Sequence, residues 1–221
     1  MNLRAPPRRT AIGRLAVASA AAWVGLSGCA GSWLPKPPQP PARFTLDGPP
    51  ATAAARSPAA ERAPAPGAPV LVVAVPRAAP GFDSTRMVYL RRTQELEAFA
   101  FHEWVDTPAR MLAPLLVRSL QASGAYSAVL LAPSAATGAL RLETELIRLQ
   151  QDFGSRPSEV RMTLRAVLMD TATRQVIAWR EFDETVTAGT DDPAGGAAAA
   201  HQAMQRVLAA LSAFCAGQAA R

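Results

Sequence analysis

The chain has 221 residues, 49% hydrophobic and 18% charged, with 23 basic and 17 acidic residues and a formal net charge of +6. That length is ample for one packed core, and two cysteines are too few for a disulfide framework. The positive balance invites a nucleic-acid reading, but Arg4, Arg8, Arg9 and Arg14 crowd the first 28 residues. Without those four, 19 basic residues face 17 acidic ones, a net of +2, and no basic run with interleaved aromatics remains.

The same arginines form the positive start of a secretory signal. Leu15 to Leu26 is apolar but too short to cross a bilayer, which takes about 20 residues. It ends in Leu26-Ser27-Gly28-Cys29, the order of a bacterial lipobox: an aliphatic residue, two small ones, then cysteine. Small residues let the backbone enter a peptidase cleft, and the thiol accepts lipid. Residues 1–28 are thus expected to be a lipoprotein signal peptide and Cys29 the lipidation site, with acyl chains such as palmitate anchoring the chain to a membrane. Ala30 stands where an aspartate would favour inner-membrane retention, so the expected address is the periplasmic face of the outer membrane.

Residues 29–68 read as a lipidated N-terminus and a Pro/Ala-rich tether, with segments such as Pro35-Lys36-Pro37-Pro38 and Ala63-Pro64-Ala65-Pro66. The alternating Arg43 to Asp47 interrupts it as a candidate short strand. From residue 69 to about 218 the chain reads as one domain. Val70 to Val75 is a buried strand stopped by Pro76, and Ala78 to Thr85 a Pro/Gly loop. Met87 to Leu90 and Glu95 to Trp104 are two further strands. A helix is expected over 107–122, with Thr107 as N-cap and Leu112, Leu115, Leu116 and Leu120 as its apolar stripe. Pro114 inside that pattern predicts a slight kink or a later helix start.

Tyr126 to Leu131 is a strand. Leu140, Leu142, Thr144 and Leu146 alternate with Arg141, Glu143 and Glu145. Val160, Met162, Leu164, Ala166 and Leu168 alternate in the same way with Arg161, Thr163 and Arg165. These are two half-buried strands joined across Asp152 to Ser158, and a third follows at 175–186. After a polar loop at Thr187 to Gly196, a last helix runs to about 216 with Met204, Val207, Leu208, Leu211 and Cys215 as its apolar stripe. The expected fold class is α+β: a mainly antiparallel sheet with two packing helices in a single domain.

Chemistry-bearing groups are sparse. The two histidines, His102 and His201, lack metal-ligand spacing, so no metal or other cofactor is expected. No nucleophile elbow, phosphate loop or dinucleotide fingerprint is present, and an enzyme is not expected. Asp191-Asp192 before Pro193 suit a helix start. Cys215 reads as a small buried hydrophobe. Tyr89, Phe99, Phe101 and Trp104 cluster in one hairpin-like region; core packing is the first reading, and a contact for a partner or lipid chain the alternative.

Taken in order, Phe44-Thr45-Leu46 after the lipobox, Val70 to Val75, the Tyr89 region, the run through Trp104 and Pro108 into Met111-Leu112, Gly124 to Val129, and the alternating strands at 140–149 and 160–170 resemble the ABC-type transport auxiliary lipoproteins, the PqiC-like family. The Pro/Ala-rich stretch at 48–68 departs from that family's compact start. The resemblance implies a non-enzymatic, periplasm-facing accessory subunit of an MCE-type ABC system that moves lipid between membranes. Its implied partners are an MCE-domain protein and the ABC permease and ATPase, with homo-oligomer formation open. The rival readings are another outer-membrane export or assembly lipoprotein, and a lipoprotein enzyme.

Overall fold

The computed structural model describes residues 40–47, 67–92 and 94–219. The expected signal peptide, Cys29 and most of the expected tether lie outside them. Strands β1 (Ala42–Phe44), β2 (Val70–Val73), β3 (Arg77–Ala78), β4 (Arg86–Arg92) and β5 (Glu95–Trp104) precede helix α1 (Pro108–Ala122). Strands β6 (Ala128–Leu131), β7 (Leu140–Asp152), β8 (Glu159–Asp170) and β9 (Val176–Thr187) then lead to helix α2 (Pro193–Ala219). The α+β class and the mainly antiparallel sheet with two packing helices are as the sequence predicts.

β7 is the spine. One of its edges pairs antiparallel with β8 along its length, and β8 pairs in turn with β9. Its other edge is shared in parallel by β2 at Leu140 to Leu142, β3 at Glu145 and Leu146, and β4 at Gln151 and Asp152. β6 lies beyond β2, while β5 and then β1 lie beyond β4. β2 ends at Val73, two residues short of the expected Val75, though the Ala74 N–H still donates to the Leu142 carbonyl at 2.8 Å. Pro76, with no N–H to donate, interrupts the pairing, and the chain rejoins β7 in the two-residue β3, whose Ala78 the sequence assigns to a loop. In the described part of the tether region, β1 pairs parallel with β5, and Leu46 just after it is buried in the core. The carbonyl of Leu46 accepts from Nδ1 of His201 at 2.9 Å, which ties this segment to α2.

Period-two alternation decides which face of the sheet is dry. Leu140, Leu142 and Leu146 of β7 and Val160, Met162, Leu164, Ala166 and Leu168 of β8 all point to one side and are buried. Both helices cover that side: α2 lies on β8 and β9, and α1 lies beside it toward β6. The apolar stripes of the two helices are buried as their spacing predicts, with Cys215 fully enclosed. The helices are also tied by polar bonds: Ser119 donates to the Leu208 carbonyl at 3.3 Å, and Ser212 to the Ser119 carbonyl at 3.0 Å.

One alternative falls away and one boundary differs from expectation. α1 starts at Pro108 and continues through Pro114, with no later start. Pro114 lies on the exposed side of the helix, where the backbone carbonyl it leaves without a donor meets water. α2 starts at Pro193, three residues before the expected end of the loop at Gly196. The Asp192 carboxylate accepts from the Gly195 N–H at 2.7 Å, and this cap outweighs the low helix propensity of two successive glycines.

A candidate binding cleft

The face of the sheet opposite the helices carries ordered charge. Arg161 meets Asp183 at 3.0 Å, and Asp183 also accepts from Thr163 at 2.7 Å. Arg165 bridges Glu145 at 3.2 Å and Glu181 at 3.5 Å. These pairs are half exposed, so each contributes at most about 1 kcal/mol.

The most distinctive concavity lies at the C-terminal end of β7. It measures about 580 Å³ and is lined by Arg91, Phe99, Phe153, Ser155, Arg156, Asp191, Asp192 and Pro193. Five segments converge there: the end of β4, the middle of β5, the residue after β7, the loop into β8 and the start of α2. Its aromatic wall is built across β4 and β5. Tyr89 faces Glu97, so Phe99, two residues on, is its diagonal neighbour on the same face, with ring centroids 4.4 Å apart. Past Ala98 the pairing jumps from Val88↔Ala98 to Arg86↔Glu103, so β5 holds extra residues over that stretch. Phe153 closes the group edge-on, 5.7 Å from Tyr89 and 6.3 Å from Phe99. His102 lies between Phe99 and Phe44, 6.1 Å from each ring.

The four aromatics singled out in the sequence therefore part company. Tyr89 and Phe99 meet. Trp104 is buried in the core, and Phe101 is 61% exposed. The ring of Tyr89 is buried while its hydroxyl donates to Glu97 at 2.7 Å, which holds the phenol above its ordinary pKa. Phe153, Arg91 and Arg156 complete the cleft and are not flagged by sequence reasoning. The only local signal is Phe153 itself, a large aromatic at the mouth of a Gly/Ser/Pro turn.

The cleft's charges are unequal in availability. Asp191 accepts from the Ser158 N–H at 2.6 Å, and Asp192 from the Gly195 N–H; these bonds to backbone donors hold both carboxyls below their usual range. The two arginines have no carboxylate partner among the described residues. Arg91 instead sits 5.1 Å over the Tyr89 ring. The cleft thus sets two guanidinium groups that make no salt bridge beside the rings of Phe99 and Phe153, with the ionised Asp191 and Asp192 on its other wall, a combination suited to a group that is apolar along its body and anionic at one point. Among the described residues no three potential metal ligands come together.

The model of the ABC-type transport auxiliary lipoprotein component family matches residues 44–212. No curated protein matches the chain in sequence. Among solved structures, protein XCC0632 from Xanthomonas campestris is similar, at 27% identity over 71% of this chain and 90% of that one, with a TM-score of 0.63. An uncharacterized protein shares the fold at 12% identity over 80% of this chain and 99% of that one, with a TM-score of 0.61. The family match runs from the last residue of β1 into the final turns of α2 and so takes in the whole sheet and the cleft. The chain belongs to the ABC-type transport auxiliary lipoprotein components.

Proposed function

We propose that this lipoprotein is the accessory subunit of an MCE-type ABC system that carries lipid or another hydrophobic substrate between membranes. Cys29 bears the lipid, the anchor sits in the periplasmic leaflet of the outer membrane, and the α+β domain docks an MCE-domain component of the transporter. Family membership supports the transport role. The arginine-framed aromatic cleft carries the docking part of the reading, because it sets Arg91 and Arg156, which make no salt bridge among the described residues, beside Phe99 and Phe153. A partner segment with an apolar side chain and a carboxylate fits it: the side chain on Phe99 and Phe153, the carboxylate between Arg91 and Arg156. The function proposed is non-enzymatic, since binding and tethering need no reacting group.

The test is co-purification from native membranes. Wild-type protein is expected to retain an MCE-domain protein and its permease. Arg91→Glu with Arg156→Glu is expected to lose them while remaining membrane-bound and folded. Retention of the partners by the double variant would overturn the cleft as the docking site. Recovery of export-channel components in their place would overturn the transport assignment.

A further inference from the structure

β9 is the last strand on its side of the sheet, and it pairs only with β8 among the described residues. The Ala188 N–H donates to the Ser158 carbonyl at 2.7 Å, just past the last pair of β8 and β9. Antiparallel alternation from that bond turns the N–H and C=O of Arg180, Phe182, Glu184 and Val186 inward to β8. Those of Trp179, Glu181, Asp183, Thr185 and Thr187 therefore point outward, and none takes a backbone partner among the described residues. Such an edge is a template for another strand. Charge commonly blunts edges, so the charges on this one decide what it accepts.

Those charges are arranged about Phe182. On the helix side, Arg180 stands two residues before it and Glu184 two after, and neither makes a salt bridge among the described residues. Arg180 lies over the Phe182 ring, 5.3 Å from its centroid. Within one chain the two charges stand about 14 Å apart along the strand, four residues at about 3.4 Å each, too far to pair. A two-fold axis through Phe182, perpendicular to the sheet, brings each Arg180 opposite Glu184 of a second copy.

The backbone fits that register. Glu181 and Asp183 exchange ladder hydrogen bonds across the seam, as do Trp179 and Thr185, all residues whose groups point outward. Arg180 and Glu184 then take the positions without ladder bonds, where facing side chains come closest. On the opposite face Glu181 meets Asp183, but Arg165 and Arg161 of the same chain already bridge them at 3.5 and 3.0 Å. Moving the axis to Glu181 or to Asp183 sets that acid against its own copy and separates Arg180 from Glu184.

We propose that the protein forms a two-fold dimer through β9, one continuous antiparallel sheet with its axis at Phe182 and Arg180 paired with Glu184 on both sides of it. This is independent of what the cleft binds. A dimer carries two clefts, so it holds a partner that repeats its docking segment more tightly than one chain does.

The test is the mass of the mature chain in detergent by sedimentation equilibrium, at about 0.1 mM, where contacts of micromolar affinity are filled. Wild type is expected at twice the chain mass. Arg180→Glu alone and Glu184→Arg alone each set like charges across the seam and are expected at the mass of one chain. An equimolar mixture of the two variants is expected to return to two chains, because each copy then faces the opposite charge. Circular dichroism of each variant alone checks that it is folded. A wild type at the mass of one chain overturns the proposal. So does a dimer that neither reversal dissociates, as when a shared micelle holds two chains together, and so does a mixture that stays at one chain.

Discussion

The carboxamide of Gln151 fills the space that a side chain on Gly196 would occupy, with its Oε1 lying where a β-carbon would stand. Gln151 is at the end of β7 and buried, and Gly196 is in the first turn of α2. The Gln151 amide donates to the Ser158 hydroxyl at 2.8 Å and to the Asp192 carbonyl at 3.3 Å. One side chain thus joins the spine strand, the loop into β8 and the helix start, which are three of the segments that frame the cleft. Gly196→Ala forces that amide out of place and is expected to cost about 1–3 kcal/mol, read as a lower urea midpoint. Shortening Gln151 to Ala in the same chain should recover part of the loss, because the two sites share the clash.

Acid stability should show the Arg161–Asp183 pair. The hydrogen bond from Arg161, helped by that from Thr163, lowers the Asp183 carboxyl from 3.8 to about 2. A lowered folded-state pKa means that the contribution is complete above the unfolded value and is lost as pH falls from about 4 through 2. Because both side chains are more than a third exposed, the contribution is about 1 kcal/mol or less after screening. Asp183→Asn should therefore be slightly less stable than wild type at pH 7 and equal to it near pH 2, as measured by thermal melts across that range.

Cys215 should be chemically silent in the folded protein. Burial pushes its thiol up to about 12, against a lowering contribution from contact with Tyr126. At pH 8 almost none is thiolate, which is the reactive form. A disulfide-exchange reagent at pH 8 should label no thiol in the native mature chain and one thiol per chain in denaturant. Two thiols in denaturant would mean that Cys29 is not acylated.

The dry and wet sides of β8 and β9 predict opposite sensitivities. Leu164→Ala removes a fully buried side chain between the sheet and α2 and should cost about 2–5 kcal/mol. Val176→Ala, at an exposed position of β9, should change stability by about 0.5 kcal/mol or less. Paired denaturation curves test the contrast; a large loss at Val176 would mean that this position is covered in solution.

Cys29→Ser should release the protein from membranes with its fold unchanged, as read by fractionation and circular dichroism. Among the described residues the core begins with Phe44 and Leu46 and does not draw on residue 29.

Much of this molecule is legible in local pattern. Alternation at 140–146 and 160–168 names the buried face of the two central strands, and the stripes ending at Leu120 and Cys215 name the buried faces of the helices. These hold because one-sided burial imposes a period of two on a strand and 3.6 on a helix, whatever the partner. The cleft was legible only in part. Tyr89 and Phe99 stand out as aromatics, but their contact depends on the register of β4 against β5, in which Tyr89 faces Glu97, and no propensity records that register. Phe153, Arg91 and Arg156 come from three separate connections, and only the convergence of chain ends at one edge of β7 brings them together.

The sequence by itself determined the lipobox expectation, the α+β class, the buried faces of the central strands and helices and the near-neutral charge of the chain beyond residue 28, because each follows from residue type and short-range spacing. The tertiary structure alone decided which aromatics meet, which arginines are left without a carboxylate, and which apolar residues of β9 stay exposed. These depend on register and on the sharing of one β7 edge among β2, β3 and β4, and so on contacts between residues far apart in the chain.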